Sequence, residues 1–213
     1  MVVLALCFAS TFLILNATGV ITLDRITDWL ELAQQSSPML IGSIIALLLF
    51  LDLFVAMPTL TLMILSGYFL GSIMGAAYSI IGLVSAGMCG YGLSYYYGDK
   101  LANLLIRDEH ELKKARQSFN QFGVATILLS RAMPILPEVS ACMAGLTRMA
   151  KLKFIIAWLL STVPYAVIAS YAGSISSGSN PKPAIIAAIG LTTFFWLSWA
   201  AYRSFVINKS IQK

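Results

Sequence analysis

Charged side chains are scarce in this chain of 213 residues, of which Asp, Glu, Lys and Arg together make up 11%. A soluble domain carries about a quarter charged residues, because its water-facing surface needs them. Here hydrophobic residues make up 59% of the sequence, and the mean hydropathy is +0.84. This is too little polar material to coat a water-soluble globule, so lipid must surround most of the surface. The composition therefore predicts an integral membrane protein without a separate soluble domain.

The residue types that most catalytic and metal sites need are also rare. The sequence has one histidine, and its cysteines (Cys7, Cys89 and Cys142) lie in apolar runs without a CxxC spacing. We therefore expect buried free thiols and no metal site. No HExxH or GxSxG motif occurs, which predicts that the chain is not an enzyme and needs no cofactor. The net charge of +5 lacks the basic-aromatic pattern of a nucleic-acid surface and is typical of the cytoplasmic flanks of membrane spans.

Long apolar stretches dominate the rest of the sequence. Four of them are long enough to cross about 30 Å of hydrocarbon as helices, and they cover residues 2–21, 72–97, 153–173 and 184–207. The polar residues 22–38 are predicted to lie along the membrane interface. Residues 98–122 carry charges and repeat their apolar side chains at helical spacing, which predicts an amphipathic helix resting on the membrane or on the rest of the domain.

Two further apolar stretches are interrupted by proline, and we expect each to turn back inside the membrane. Residues 39–71 contain Pro58, and the piece that follows this proline is too short for a comfortable span. Residues 123–147 contain Pro134 and Pro137, which should divide this stretch into two half-helices. If 123–147 returns to the side from which it came, nearly all Lys and Arg outside the membrane share one side, as the positive-inside rule favours.

The predicted fold is an all-α polytopic membrane protein with four full spans, two opposed re-entrant helical hairpins and an amphipathic helix. Residues 1–38 form an N-terminal span with an interfacial segment, and residues 39–175 form a core that holds the hairpins 39–71 and 123–147. Residues 176–213 form a C-terminal span and a basic tail. Hairpins from opposite faces are the plan of an inverted repeat, in which broken helices meet near the midplane and form a substrate site. For 39–71, two short crossings remain an alternative, because both arrangements return to the same side.

Three charged residues inside the broken stretches are the predicted substrate or proton path. Asp52 is costly in an apolar run, so we interpret it as a proton-binding or headgroup-contacting carboxylate, or as a structural cap or ion pair. Arg131 stays charged and its planar fork fits phosphate, although it could equally serve as a counter-ion. Glu138 stands where the second half-helix should begin, which suits either the positive end of a helix or a titrating group.

Prolines and glycines are predicted to shape both hairpins. The prolines free backbone groups that need partners or water, as the lining of a cavity provides. The glycines let neighbouring helices approach closely. The residues in question are Pro58, Gly67, Gly71, Pro134, Pro137 and Gly145.

Four stretches occur in a distinctive order along the core. They are PTLTLMILSGYFLGSIMGA at 58–76, Tyr-Gly-Asp-Lys at 97–100, SRAMPILPEVSACMAGLTRM at 130–149, and Tyr-Ala-Gly at 171–173. In these stretches, over roughly residues 45–175, the chain resembles the DedA family, also called VTT-domain or SNARE-associated Golgi proteins. The resemblance implies two opposed re-entrant hairpins and a role in moving lipids between leaflets. Bacterial relatives are linked to recycling of undecaprenyl phosphate or translocation of phosphatidylethanolamine, and eukaryotic ones resemble phospholipid scramblases.

The chain departs from the better-known bacterial pattern in both hairpins. That pattern has two acidic residues in the first hairpin; Asp52 fits one of them, but only Thr59 and Thr61 stand in the region of the other. The pattern also has two arginines six positions apart in the second hairpin. Arg131 fits the first of these, and Pro137 occupies the second. These departures leave proton coupling and the headgroup of the cargo open.

From the residues and the resemblance together, we predict a flippase- or scramblase-like translocase of a phospholipid or polyprenyl phosphate that supports membrane homeostasis. It is expected as a multi-pass protein of the bacterial plasma (inner) membrane. The alternative is a proton-coupled small-solute transporter, and an intramembrane enzyme or an assembly scaffold is less well supported. Membrane lipids are the expected partners and nucleic acid is not, while proton coupling and homo-oligomers stay open.

Overall fold

The computed structural model describes residues 37–55, 57–105, 109–132, 136–176, 180 and 182–211. The helices in these residues are α1 (Pro38–Leu51), α2 (Thr59–Leu105), α3 (Glu109–Leu129), α4 (Leu136–Leu146), α5 (Lys151–Ser174) and α6 (Lys182–Ile211). A 3-10 turn at Ser130–Ala132 follows α3, and no strand occurs in this part of the chain. The prediction of an all-α fold is therefore confirmed for the described residues. The predicted span 2–21 lies outside them.

Three helices are long and apolar enough to cross a membrane. They comprise Thr59–Gly98 of α2, Lys151–Ser174 (the whole of α5) and Lys182–Ala201 of α6. Two other apolar helices are shorter, since α1 has 14 residues and α4 has 11. At 1.5 Å per residue they extend about 21 and 16 Å, well short of the hydrocarbon thickness of about 30 Å. The chain is thus a multi-pass integral membrane protein that combines long and short apolar helices.

Helix α2 turns back on itself at Gly71. This glycine has φ 79° and ψ 172°, a conformation that is almost exclusive to glycine. The hydroxyl of Ser66 donates to the carbonyl of Gly75 at 2.9 Å, although these residues would lie about 13 Å apart along a straight helix. Gly71 therefore divides α2 into a short arm (59–70) and a long arm (72–105).

Helix α1 and the short arm of α2 form a first helical hairpin, whose tip contains residues 52–55, 57 and 58. Helix α1 begins after Ser37, whose side chain accepts a hydrogen bond from the backbone N–H of Leu40. Successive residues of the long arm of α2 contact α1 and the tip in rising order: Tyr78 faces Gly42, Gly82 faces Ala46 and Leu49, and Gly90 faces Leu53. Helix α1 consequently runs parallel to the long arm and brings the tip about two thirds of the way along its apolar part.

The end of α3 and helix α4 form a second helical hairpin, with its tip around the 3-10 turn. Helix α4 also runs parallel to the long arm, since Ala141 and Cys142 lie beside Gly90, Gly145 lies beside Tyr91, and Leu146 beside Gly98. Its tip is therefore at its first residue, whereas the tip of the first hairpin is at the end of α1. The two hairpins approach from opposite ends of the long arm, and their tips meet beside it.

Helix α3 differs from the sequence prediction at residues 122 and 123. There the amphipathic helix 98–122 was predicted to be separate from the first half of the second hairpin. The structure has one uninterrupted helix, Glu109–Leu129, across this point. Gly123 in the middle of α3 packs against Phe119 and Met149, and a single glycine costs a helix only about 1 kcal/mol. The polar and apolar stretches thus share one helix.

Helix α5 supports both hairpins from behind. Its Gly173 and Ser170 approach the short arm of α2 so closely that a Cβ on Gly173 would overlap the carbonyl oxygen of Ile64. Further along, Trp158 donates its indole N–H to the carbonyl of Leu83 at 3.1 Å. Helix α6 lies at the edge, where Phe195 packs against Tyr165 with ring centroids 5.6 Å apart. Helix α5 therefore forms the wall against which the two tips meet.

Candidate functional site

The three charged residues singled out in the sequence come together where the hairpin tips meet. Asp52 lies on the tip of the first hairpin, and Arg131 and Glu138 lie on the tip of the second. They line one cavity, together with Leu53, Leu83, Ala86, Gly87, Ala141 and Trp158. The apolar part of the long arm, 72–98, is about 40 Å long, so the cavity beside residues 83–87 lies about 20 Å from either end. The cluster is therefore half-way along the longest spanning helix.

Asp52 closes the turn of the first hairpin. Its Oδ1 accepts a hydrogen bond from the backbone N–H of Met57 at 2.8 Å, and the residue is 5% exposed. This bond satisfies a backbone donor just before Pro58, whose carbonyl accepts the N–H of Leu62 in the first turn of α2. The Asp52 carboxyl group also lies close to that of Glu138, and the two interact. Asp52 therefore caps the turn of its own hairpin and also contacts the opposite hairpin.

Glu138 stands in the first turn of α4, directly after Pro137. Proline suits this position because the first N–H groups of a helix have no partner within the helix, and a carboxylate suits it because the helix dipole is positive there. Glu138 is 9% exposed, and its Oε2 has no hydrogen-bond partner among the described residues. A hydrogen bond between two carboxyl groups requires a proton on one of them, since ionised carboxylates only accept. Asp52 and Glu138 would therefore hydrogen bond to each other when the pair holds one proton.

Arg131 is held by three side chains of α5. Its Nη2 donates to the hydroxyl of Thr162 at 3.0 Å. Its guanidinium carbon lies 5.4 Å from the ring centroid of Trp158 and 5.7 Å from that of Tyr165. These residues share one face of α5, because they are separated by four and then three positions. The plane and the position of the guanidinium are therefore set by α5.

At least one N–H of this guanidinium has no acceptor among the described residues. Nε of Arg131 is buried and has no hydrogen-bond partner in the part of the chain that the structure describes. The positive charge interacts electrostatically with both Glu138 and Asp52. With one proton on the carboxyl pair, the three side chains carry no net charge together. The site therefore has an unused donor for an anion and a carboxyl pair for a proton or a cation.

The sequence did not predict Trp158, Thr162 and Tyr165 as partners of Arg131, because residues 153–173 have the pattern of an ordinary span. Thr162 is fully buried, and Trp158 and Tyr165 are aromatic residues of a kind that many spans contain. A signal was present in their spacing, since a hydroxyl flanked by two rings on one helical face suits a buried cation. It lacked the charge that makes Asp52, Arg131 and Glu138 conspicuous.

The predicted hairpin-shaping residues have different positions and contacts. Gly67 faces the carbonyl of Ser170 and Gly145 faces the carbonyl of Tyr91, so both allow backbones to approach closely. Gly71 instead makes the turn inside α2, and a Cβ there would meet no atom within 4 Å. Pro134 lies outside the described residues.

The cavity is small in this conformation. The space open to the centre of a water molecule is about 10 Å³, which is room for about one water. A phosphate group is larger than that, so the hairpin tips must separate before Arg131 can receive one. No three His, Cys, Asp or Glu side chains in the described residues gather as metal ligands.

The sequence of residues 57–175 matches the family model of the VTT domain. This match covers more than half of the chain, which therefore belongs to the VTT-domain, or DedA, family. The predicted family is thus confirmed, together with the predicted location as a multi-pass protein of the bacterial inner membrane.

Among curated proteins, the chain is similar to undecaprenyl phosphate transporter A of Bacillus subtilis (strain 168). The two are 26% identical over 105 residues, which are 44% of this chain and 53% of the relative. The chain thus spans about half the length of the relative that it matches. No solved structure matches it.

Proposed function

We propose that this chain translocates a phosphate-bearing lipid or lipid carrier between the two leaflets of the membrane. The observation that carries the proposal is Arg131, fixed by α5 with a buried, unused N–H at the meeting point of the two hairpins. A guanidinium with a fixed plane is the protein group best suited to phosphate. The name of the relative, undecaprenyl phosphate transporter A, supports a polyprenyl phosphate as one such cargo.

The proposal includes re-entrant hairpins and four full spans. Helices α1 and α4 are too short to cross the bilayer, and each is linked through its tip to a second helix that runs back. Residues 2–21 would provide the fourth full span. The cluster of Asp52, Arg131 and Glu138 would then lie near the bilayer midplane, reached by one hairpin from each side.

In this mechanism the headgroup passes between the hairpin tips while its hydrocarbon chains remain in the surrounding lipid. The Asp52–Glu138 contact joins the tips in the closed conformation, so it has to open when the headgroup arrives. Arg131 then offers its free N–H to the phosphate, and uptake of a second proton by the carboxyl pair offsets the negative charge that a phosphate monoanion brings. The headgroup leaves on the other side as the opposite hairpin moves away.

The test is a transport assay with purified protein in vesicles. A fluorescent phospholipid, reduced by dithionite only in the outer leaflet, reports on phospholipids. Undecaprenyl phosphate, cleaved by an added phosphatase only in the outer leaflet, reports on the lipid carrier. Wild-type protein is expected to accelerate the exposure of at least one of these cargoes, and no acceleration of either would refute the proposal.

Arg131 variants sharpen this test. Arg131→Met removes the charge and the donors and is expected to abolish transport. Arg131→Lys keeps the charge without the planar fork and is expected to retain a small fraction of the activity. Lys153→Met removes a charge from an exposed position on α5 and serves as the matched control. If Arg131→Met folds and transports like the wild type, Arg131 is not the phosphate ligand.

A second candidate function is proton-coupled transport of a small solute, which the proton-binding pair Asp52–Glu138 favours. An imposed pH gradient would then drive transport by the wild type but not by Glu138→Gln, whose amide keeps the hydrogen bond without a proton to release. A passive lipid translocase gives equal rates with and without the gradient. Both the family and the name of the relative point to transport rather than catalysis.

A further inference from the structure

We propose a second anion site at the membrane surface, formed by Arg148, Lys151 and the ring of Tyr95, which binds the phosphate of an anionic lipid headgroup. It lies at the base of the second hairpin, separate from the cavity at the tips. That this site binds an anionic headgroup does not depend on the proposed function. That it captures cargo before transport does rest on the proposed function.

Two cations share a single aromatic ring at this site. The guanidinium carbon of Arg148 lies 5.6 Å from the ring centroid of Tyr95, and Nζ of Lys151 lies 5.8 Å from the same centroid. Each cation is attracted by the ring. Both side chains are exposed, so an anion in water can reach both and is attracted by each positive charge.

The ring and the turn beneath the cations are rigidly held. Tyr95 stacks on Tyr91 with centroids 5.8 Å apart, and Tyr91 stacks on Phe154 at 4.7 Å. The hydroxyl of Tyr91 donates to the carbonyl of Met149 at 2.5 Å, which ties the turn between α4 and α5 to the long arm of α2. Groups that are held before the ligand arrives lose less entropy on binding, so this arrangement favours binding.

Arg148 occupies a backbone position that glycine would fill with less strain. Its φ is 54°, and no other residue besides glycine has a positive φ in the part of the chain that the structure describes. The turn ends α4, with Arg148 N–H donating to the carbonyl of Gly145 and Met149 N–H donating to that of Ala144, both at 2.9 Å. Helix ends of this kind usually carry glycine at the left-handed position. Because arginine occupies this strained position instead of glycine, we infer that the Arg148 side chain has a functional role.

The location identifies the class of ligand. Tyr95 lies near the end of the apolar segment Thr59–Gly98, and Lys151 is the first residue of the apolar helix α5. The cations therefore lie at the depth of lipid headgroups, where basic residues attract anionic lipids. Tyr96, which is 72% exposed, adds an aromatic side chain of the kind that anchors at this interface. The site is about 12 Å along the long arm from Gly87 in the cavity, so a headgroup bound there is close to the tips.

The test is a binding titration of the purified full chain in detergent, with a fluorescent short-chain phosphatidic acid as the probe and anisotropy as the readout. Removing both charges in the double variant Arg148→Gln/Lys151→Gln is expected to weaken binding roughly five-fold for each charge, or about 25-fold in total. Lys182→Gln, which removes an exposed cation at the first residue of α6, is expected to bind as the wild type does. Equal binding by the double variant, or an equal loss in Lys182→Gln, would overturn the site.

Arg148→Gly separates binding from a structural role. Glycine relieves the positive φ, so this variant is expected to melt at or above the wild-type temperature and yet to bind the probe about five-fold more weakly. A purely structural arginine would give unchanged binding, which would overturn the proposal. Competition with inorganic phosphate tests whether the ligand is a lipid headgroup or free phosphate. If the ligand is a lipid headgroup, inorganic phosphate at matched concentration fails to displace the probe. Displacement of the probe would overturn the lipid assignment.

The same variants distinguish this site from the proposed function. If the wild type transports no cargo but the double variant still binds the probe more weakly, the site stands and the translocase proposal fails. If transport occurs and the binding contrast is absent, the surface site fails and the translocase proposal stands.

Discussion

Replacing Thr162 by valine tests whether Arg131 works as a positioned ligand or merely as a buried charge. Thr162 is fully buried, and its hydroxyl accepts the hydrogen bond from Nη2 of Arg131 at 3.0 Å. Valine has nearly the same shape, so no cavity opens and the neighbouring rings of Trp158 and Tyr165 stay in place. The change therefore removes one hydrogen bond to a charged group and little else.

The size of the effect follows from that bond. Hydrogen bonds to charged groups contribute about 1.5–3 kcal/mol, and about 1.4 kcal/mol corresponds to a factor of ten in affinity. If the bond holds the guanidinium in its phosphate-binding position, Thr162→Val weakens cargo binding by about 10- to 100-fold. The free energy of unfolding falls by a similar amount of about 1.5–3 kcal/mol.

The assay is the vesicle transport measurement, repeated over a range of cargo mole fractions. We expect the half-saturating fraction to rise by the factor above while the maximal rate changes little. Thr162→Ser, which keeps the hydroxyl, should restore wild-type behaviour. Thr147→Val removes a hydroxyl that donates only within its own hairpin, to the carbonyls of Met143 and Ala144, and serves as the control. A folded Thr162→Val protein with an unchanged half-saturating fraction would refute the positioning role of Thr162.

Three further predictions concern the stability of the hairpins, measured by thermal unfolding. Gly71→Ala is expected to lower the free energy of unfolding by about 1–3 kcal/mol, because the backbone conformation of Gly71 is unsuited to alanine. The loss is expected although the new Cβ would meet nothing within 4 Å. An unchanged melting temperature would show that the turn relaxes. Gly67→Ala is expected to lower the free energy of unfolding by about 1–3 kcal/mol, because its Cβ would overlap a carbonyl of α5. As a control, Gly92→Ala, whose Cβ meets nothing within 4 Å, should raise it by up to about 1 kcal/mol. Equal changes in the two variants would contradict the close approach at Gly67. Asp52→Ala is expected to lose about 0.5–2 kcal/mol with the bond to Met57, and Asp52→Asn, which keeps an acceptor, should lose less; equal losses would exclude the capping role.

Much of the fold could be predicted because lipid imposes strict requirements on a sequence. Charge scarcity and apolar length identified the three long apolar helices of the described residues, and Pro58 and Pro137 marked interruptions because proline lacks the N–H that a helix interior needs. The turn at Gly71 could not be predicted in the same way. It stands four positions from Gly67 and from Gly75, which is also the spacing of a packing face. Only the backbone angles distinguish a turn from such a face.

The charged members of the site could be found because a charge in an apolar run is costly and therefore conspicuous. Their partners could not, since the uncharged Thr162 and the rings of α5 cost little in a span and give no local signal. The contact between Asp52 and Glu138 depends on how deeply each hairpin reaches along α2. That depth results from close packing at Gly82 and Gly90, which no local pattern reveals.

The position of the charged cluster half-way along the apolar part of the long arm of α2 has an electrical consequence. Moving one elementary charge across a membrane potential of 100 mV changes its free energy by about 2.3 kcal/mol, and reaching the midpoint accounts for about half of that. In the proposed translocation, a headgroup with a net negative charge that stops at Arg131 would experience the voltage on both halves of its passage, whereas a zwitterionic headgroup would not. The membrane potential would therefore favour one direction of movement for an anionic lipid carrier. For a phospholipid without net charge, the same pathway would give equal rates in both directions.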